Sequence, residues 1–231
     1  MSTPAPSPHK IVARTASVHI DKACNTFLHD CFKQFGIHVV NLPGDPAASF
    51  QRQKFEACLL RLYDPDAERI LDAVRNSNSN RRMVMYGIAR NAKEALRHSS
   101  YGINAIFDEP LDRPSVLKMV RATRLLVMNE LRRYVRVPVV SEALLETSAG
   151  RAPVLTVEVS SGGLSLRSRS TLPANEPVKV GLELPGLPSL NLRAYVCWGR
   201  TTDKVYGLCF DTGDERRLKV RNWIDEYFEA G

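Results

Sequence analysis

Short apolar runs alternate with longer amphipathic segments along the first half of the chain. The runs are the length of buried strands and cover residues 11–13, 37–42, 57–62, 83–88 and 103–107. The amphipathic segments predict helices and cover residues 21–35, 65–76, 92–98 and 113–133. Such alternation predicts an α/β fold, with a parallel sheet flanked by helices on both faces.

The last of these helices leads into the second half of the chain. No Gly or Pro interrupts the sequence from Ser115 to Val137, so we expect the helix to run directly into the basic segment around Arg132. Its apolar residues are spaced largely for one helical face. They are Val116, Leu117, Val120, Leu125, Leu126, Met128 and Leu131. This stripe is either ordinary core or a junction through which a ligand reorients two domains.

The last hundred residues have a different pattern. Residues 192–198 and 205–210 predict strands, and residues 215–228 predict a closing helix. A chain of 231 residues with 44% hydrophobic content can form two modest cores. We therefore predict a disordered tail at residues 1–8, one domain at residues 9–126 and a second at residues 127–231.

Composition also bears on location and on the class of partner. The first eight residues lack the apolar core of a signal peptide, and no run approaches the roughly 20 apolar residues of a membrane span. We expect a cytoplasmic protein without membrane contact.

The net charge of +7 raises the question of whether the protein binds nucleic acid. Residues 1–131 contain 18 basic and 13 acidic side chains, and residues 132–231 contain 14 basic and 12 acidic ones. The sequence has no dense basic stripe. We expect no nucleic-acid partner, and we assign Tyr134, Trp198, Tyr206 and Trp223 to the core.

Two arginines four apart, Arg132 and Arg136, precede a Ser-Ser-Gly-Gly run at residues 160–163. An arginine fork matches the O6 and N7 acceptors of guanine and suits a phosphodiester. Gly162 and Gly163 let the backbone take positive φ and bring N–H groups close to an anion. Each motif alone is weak, since arginines four apart occur by chance in a basic chain. Their order, a basic doublet at a helix exit followed by a glycine turn between strands, favours a binding site.

The combination Arg132-x-x-x-Arg136 and Ser160-x-x-Gly163 resembles the PilZ domain, over about residues 130–230. The resemblance implies an antiparallel β-barrel with a closing helix that binds cyclic di-GMP. Arg132 and Arg136 would grip guanine and phosphate, Ser160 would donate to phosphate, and Gly163 would permit the turn. Glu158 stands where the family usually has Asp or Asn. It can still accept from guanine, although its extra rotor must be ordered on binding.

Two neighbours of the first arginine affect the expected stoichiometry and contacts. The family tends to bind a stacked ligand dimer when an arginine precedes the motif, whereas Leu131 stands there, which favours one ligand per chain. Arg133 either supports the phosphate contact indirectly, from behind the motif arginines, or is a solvated side chain, and we favour the latter.

The first half resembles a response-regulator receiver domain, most clearly at residues 102–111, which mirror its fifth strand and proline turn. The acidic and hydroxyl chemistry of a receiver is missing. Arg61 stands for the nucleophile, Glu109 for the lysine and Gly87 for the hydroxyl, and Arg14 and Thr15 stand for the acidic pair. We expect no phosphorylation and a degenerate receiver kept for protein contact or dimerisation; otherwise the likeness is only architectural. The inverted charges of Arg61 and Glu109 suggest an internal ion pair.

No catalytic or metal-binding constellation is predicted. Cys24, His29 and Cys31 share a predicted helix but lack a fourth ligand. Cys197 and Cys209 fall in adjacent predicted strands, and a cytoplasmic location favours their reduced state. We therefore predict a non-enzymatic cyclic di-GMP receptor without cofactor or metal, which relays occupancy to a protein partner. The alternative is a PilZ-like adaptor that no longer binds nucleotide.

Overall fold

The computed structural model describes residues 12–229, so the predicted tail at residues 1–8 lies outside the described residues. Contacts divide the chain into two compact units, one at Val12–Leu131 and the other from Arg132 onward. Within the described residues, no helix combines the length and apolar character needed to cross a membrane.

The N-terminal unit is a parallel five-stranded sheet in the order β2-β1-β3-β4-β5. Its strands are β1 Ala13–Val18, β2 Ile37–Asn41, β3 Ala57–Arg61, β4 Val84–Ala89 and β5 Ala105–Asp108. The sheet predicted from the apolar runs is confirmed. The first run was placed too early, because Thr15 and Ser17 interrupt the apolar pattern although both are fully buried in β1.

Helices connect these strands. They are α1 Lys22–Lys33, α2 Pro46–Arg52, α3 Ala67–Arg75, α4 Ala92–Arg97 and α5 Arg113–Tyr134, with a short 3-10 helix at Ser99–Tyr101. Helix α2 was not predicted, although its start carries a recognisable signal. The Asp45 carboxylate accepts from the Ala47 backbone N–H at 3.1 Å, and Pro46 occupies the first turn.

Aromatic side chains form one part of the core of this unit. The ring of Tyr86 on β4 lies 5.1 Å from that of Phe32 on α1 and 5.5 Å from that of Phe107 on β5. The Tyr86 hydroxyl lies 2.7 Å from the Thr123 hydroxyl on α5. Two apolar residues of α5 do not join the core, because Leu125 is 66% and Leu126 is 47% exposed. The single apolar face predicted for this helix is therefore wrong at those two positions.

The C-terminal unit is a closed antiparallel β-barrel followed by a helix. Its strands are β6 Val137–Pro138, β7 Glu142–Thr147, β8 Gly150–Ser160, β9 Gly163–Arg167, β10 Pro177–Leu182, β11 Leu190–Arg200 and β12 Val205–Phe210, and the helix is α6 Arg217–Glu229. Six strands run in the order β8-β7-β10-β11-β12-β9, and β9 pairs back onto β8. The barrel with a closing helix confirms the fold expected from the sequence.

Closure depends on the long strand β8. Its first half pairs with β7, and its second half pairs with β9 and with the short β6. A register shift between Thr156 and Glu158 bends the strand between these partners, as bulges commonly do at barrel corners. The bend places the end of β8 beside the segment that follows α5.

The barrel interior is filled by alternate residues of its strands, as the exposed and buried positions of β10 and β11 show. Tyr206 is 2% exposed and belongs to this core as predicted. Tyr134 and Trp198 were also assigned to the core, but they are 40% and 43% exposed. The Trp198 ring lies across Gly207 on the neighbouring strand, where a Cβ atom would stand 2.1 Å from the indole nitrogen.

Candidate functional site

Arg132 lies in the last turn of α5 and contacts the closing helix. Its Nε is 2.8 Å from Oδ1 of Asp225 on α6, and each of the two side chains is about a quarter exposed, at 27% and 26%. Arg132 is therefore held by a carboxylate. Asp225 was not identified from the sequence because the two residues lie at opposite ends of the domain.

Arg136 follows the helix and lies between two buried valines. Val135 and Val137 point inward, which leaves the Arg136 side chain 54% exposed. Its Nη1 lies 3.7 Å from Oε1 of Glu158, whose side chain is 35% exposed. The pairing of Pro138 with Glu158 brings the two side chains together. Two of the residues predicted for the site are thus in contact with each other.

The predicted glycine turn joins β8 to β9. Ser160 pairs with Gly163 across a two-residue connection, and its hydroxyl donates to the Gly163 carbonyl at 3.0 Å. The prediction of positive φ at Gly162 and Gly163 is wrong, because neither lies in the left-handed region. Gly163 is required for packing instead. A Cβ atom there would stand 2.0 Å from the Leu208 carbonyl oxygen on β12.

The predicted site residues therefore form three local groups within one unit. Arg132 is paired with Asp225, Arg136 with Glu158, and the Ser160 hydroxyl with the turn. Glu158 and Ser160 are two apart on β8, which places both on the same side of the strand. Leu131 is buried, and the neighbouring Arg133 is exposed.

The N-terminal unit has a second charged cluster at the carboxyl edge of its sheet. Nη2 of Arg61, the last residue of β3, lies 2.5 Å from Oδ2 of Asp21 and 3.5 Å from Oε1 of Glu109. The Tyr63 hydroxyl donates to Glu109 Oε2 at 2.5 Å. The ion pair suggested by the inverted charges of Arg61 and Glu109 is present. Asp21, which caps α1, is an additional member that the sequence did not identify.

Two pKa values record this environment. The hydrogen bond from the Cys24 backbone N–H, followed by that from Arg61, holds the pKa of the Asp21 carboxyl well below its usual range. Burial, and then the hydrogen bond to Glu109, raises the pKa of Tyr63 to about 12. Asp21 is therefore ionised and Tyr63 is neutral at neutral pH.

Two receiver positions assigned from the sequence need correction. Arg14 and Thr15 lie within β1, and the Arg14 backbone N–H donates to Glu56 at 2.7 Å. Strand β1 runs from Ala13 to Val18, so Arg14 and Thr15 lie near its beginning and not at its carboxyl end. The strand register also places Ile88, rather than Gly87, beside Arg61. Neither Gly87 nor Ile88 has the side-chain hydroxyl that a receiver has at this position.

The cysteines and metal-binding groups also differ from the expectation. The structure joins Cys197 and Cys209 in a disulfide, although reduced thiols were expected.

In the described part of the chain, one group of three residues has potential metal-ligand atoms within 4.8 Å of one another, and its members are His19, Asp64 and Asp66. The His19 ring and the Asp64 carboxylate already contact each other at 3.2 Å. The cluster of Cys24, His29 and Cys31 considered from the sequence is not such a group.

Comparison with known proteins assigns the C-terminal unit. The PilZ domain family model matches residues 130–229. Among solved structures, the PilZ domain of CeSA from a cellulose-synthesizing bacterium is similar at 15% identity, covering 39% of this chain and 98% of that one with a TM-score of 0.33. Comparison with curated protein sequences gave no match.

Other similar structures are receiver domains. That of a sensor histidine kinase from Pseudomonas aeruginosa is 19% identical, covers 48% of this chain and 97% of that one, and has a TM-score of 0.41. A receiver domain protein from Methanospirillum hungatei is 16% identical, covers 52% and 99%, and has a TM-score of 0.44. The strand order β2-β1-β3-β4-β5 is itself the doubly wound order of the receiver fold. The PilZ resemblance seen in the sequence is confirmed, and the strand order agrees with the fold expected for a receiver.

Proposed function

We propose, from the PilZ domain that residues 130–229 form, that this chain is a non-enzymatic receptor for cyclic di-GMP that passes ligand occupancy to a protein partner. PilZ and receiver-like domains are generally non-catalytic. The proposed ligand contacts come from Arg132, Arg136, Glu158, Ser160 and Gly163.

The contact between Arg136 and Glu158 carries this proposal. The two groups are 3.7 Å apart and both are substantially exposed, so their attraction is weak and a ligand can replace it. A guanine base offers each group a partner of the right kind. Arg136 would donate to O6 and N7, and Glu158 would accept from N1–H and the exocyclic amine. Inserting one base would therefore leave both charges hydrogen-bonded.

Arg132 and Ser160 would supply the phosphate contacts. The guanidinium of Arg132 already binds a carboxylate, and a phosphodiester offers the same charge with similar oxygen acceptors. Ser160 now donates to Gly163 within the turn, so its hydroxyl must rotate to reach a phosphate oxygen. Gly163 allows β9 to lie against β12 and so fixes the position of the turn.

A nucleotide-free adaptor is the second candidate. It is favoured by the observation that both motif arginines already have carboxylate partners, in Asp225 and Glu158. In this case the pairs would stabilise the barrel, and the two units would serve only for protein contact. The protein partner, or a second copy of the chain, would be recognised through the receiver-like unit in either case.

Isothermal titration with cyclic di-GMP tests the receptor function, with GTP and cyclic di-AMP as competitors for specificity. The test variant is Arg132→Ala/Arg136→Ala. The matched control is Arg169→Ala/Arg221→Ala, which removes the same charge from exposed positions of the same unit. We expect saturable binding of one ligand per chain in the wild type and control, and at least a tenfold loss in the test variant.

Two results would reject the receptor function. The absence of binding to the folded wild-type protein would reject the receptor and leave the adaptor as the candidate. An equal loss of affinity in both double variants would mean that net charge, and not the motif, attracts the nucleotide. Circular dichroism of each variant would verify that the fold is retained.

A further inference from the structure

The disulfide between Cys197 and Cys209 links two strands on the outside of the barrel. The Cα atoms of these residues are 5.9 Å apart, and both residues are exposed. Cys197 is the extra residue at the register shift of β11, between Val196 and Trp198. The bond therefore ties an irregular point of β11 to the regular strand β12.

The other three cysteines offer a contrast within the same chain. Cys31 and Cys58 are buried, and Cys24 is partly buried. Burial raises the pKa of all three, that of Cys58 to about 12, which disfavours the reactive thiolate. Of the five cysteines in the sequence, Cys197 and Cys209 are the two that are both exposed and adjacent.

The linked strand also supports the glycine turn of the candidate site. Cys209 is the direct pairing partner of Gly163, and the Phe210 backbone N–H donates to the Gly162 carbonyl at 2.9 Å. A Cβ atom at Gly163 would stand 3.2 Å from Cys209 Cα. Any displacement of β12 at this level therefore moves the backbone against which the turn is packed.

We propose that Cys197 and Cys209 form a reversible thiol–disulfide site whose co-reactant is a small-molecule disulfide, and that its state sets the nucleotide affinity of the adjacent turn. The chemical step stands on the exposed pair itself, whereas the effect on affinity rests on the proposed receptor function. No other part of the chain is required for the exchange.

The exchange proceeds in two balanced steps. The thiolate of one cysteine attacks a sulfur of the small disulfide, forms a mixed disulfide and releases one small thiolate. The second cysteine, as its thiolate, then attacks the protein sulfur of the mixed disulfide and releases the second small thiolate. Two protein thiols are oxidised and one small disulfide is reduced to two thiols, which take up the two protons.

The oxidised state is expected to bind the nucleotide more tightly. The bond restrains β12 beside Gly163, so less conformational freedom is lost when the turn closes on a phosphate. Reduction releases the irregular point of β11 and loosens the same backbone. We expect the dissociation constant for cyclic di-GMP to increase about threefold to tenfold on reduction.

The first experiment follows the chemistry without nucleotide. The 231-residue chain is equilibrated with mixtures of oxidised and reduced glutathione, alkylated and mapped by mass spectrometry. We expect Cys197 and Cys209 to become protected from alkylation together, as one disulfide-linked peptide pair, while Cys58 shows no such change. Dithiothreitol should reduce this disulfide and restore the alkylation of both cysteines. Oxidation that ends in separate glutathione adducts, or no reversible oxidation, would overturn the proposed site.

The second experiment titrates cyclic di-GMP into oxidised and reduced protein, with Cys197→Ser and Cys197→Ser/Cys209→Ser as controls. Both variants should bind with the affinity of reduced wild type, and the affinity of the double variant should not change with the redox state. Equal affinity of the two wild-type states, with binding intact, would overturn the coupling alone. Binding in neither state would overturn the receptor function and the coupling with it, and would leave the result on thiol exchange standing.

Discussion

Replacing Asp225 by asparagine should strengthen the binding of cyclic di-GMP. Oδ1 of Asp225 lies 2.8 Å from Nε of Arg132, the guanidinium proposed to bind phosphate. A phosphate that binds Arg132 must therefore compete with this carboxylate for the guanidinium. Asp225→Asn keeps the size of the side chain and removes the charge that competes with the phosphate.

The size of the effect follows from the exposure of the pair. Because each side chain keeps about a quarter of its exposure, water still screens the pair, and we take its contribution as about 0.5–1 kcal/mol. Since 1.4 kcal/mol corresponds to a tenfold change, affinity should rise about twofold to fivefold. Isothermal titration at low and high salt resolves this difference, and the gain should be smaller at high salt because screening already weakens the pair.

Glu226→Gln is the matched control for this variant. Glu226 is the exposed neighbour of Asp225 on α6, and no ion pair of Glu226 is found within residues 12–229. The control removes the same charge from the same helix without altering the contact of Asp225 with Arg132. Equal gains in the two variants would show a general charge effect, and an unchanged or lower affinity for Asp225→Asn would refute the competition argument.

Three further predictions concern stability and are measured by chemical unfolding. Gly163→Ala should destabilise the barrel by about 3 kcal/mol because its Cβ would overlap backbone atoms, whereas Gly162→Ala, with nothing within 4 Å, should change stability by less than about 0.5 kcal/mol. A double-mutant cycle on Arg61 and Glu109 should give a coupling of about 0.5 kcal/mol or more, and zero coupling would remove the ion pair as a stabilising contact. The hydrogen bond from the Arg216 guanidinium holds the pKa of Asp214 well below its usual range. The ionised Asp214 therefore contributes its full stabilisation above about pH 4, and this stabilisation is lost on further acidification. Asp214→Asn should therefore be less stable than wild type at pH 7, and the difference should shrink at pH 2; a constant difference would contradict this assignment.

The sequence predicts strands well where burial and apolar character coincide. The prediction for residues 205–210 matches β12, because nearly every residue of that strand is buried and apolar. Strand β1 was misplaced because Thr15 and Ser17 are buried polar residues, which hydrophobic pattern cannot distinguish from exposed ones. Helix α2 is not visible in the sequence pattern, although Asp45 and Pro46 carry a start signal, because the whole helix has only seven residues.

The sequence predicts only those residues of the candidate site that belong to short local motifs. The two arginines and the serine-glycine turn are visible in the sequence because their spacing is local. The partner of Arg132 lies on another helix, so tertiary packing alone brings Asp225 to it. The requirement for glycine at residue 163 was recognised for the wrong reason, since it arises from the closeness of β12 and not from backbone φ.

The two arginine clusters differ in a way that supports the proposed ligand exchange in the barrel. Arg61 is only 18% exposed and contacts two carboxylates, at 2.5 and 3.5 Å, so an incoming anion would face two established partners and little access. Arg136 is 54% exposed and contacts Glu158 at 3.7 Å, so its replacement by a ligand costs little. Because a ligand gains only the difference between new and existing contacts, the same guanidinium chemistry favours a fixed structural pair in the N-terminal unit and an exchangeable one in the C-terminal unit.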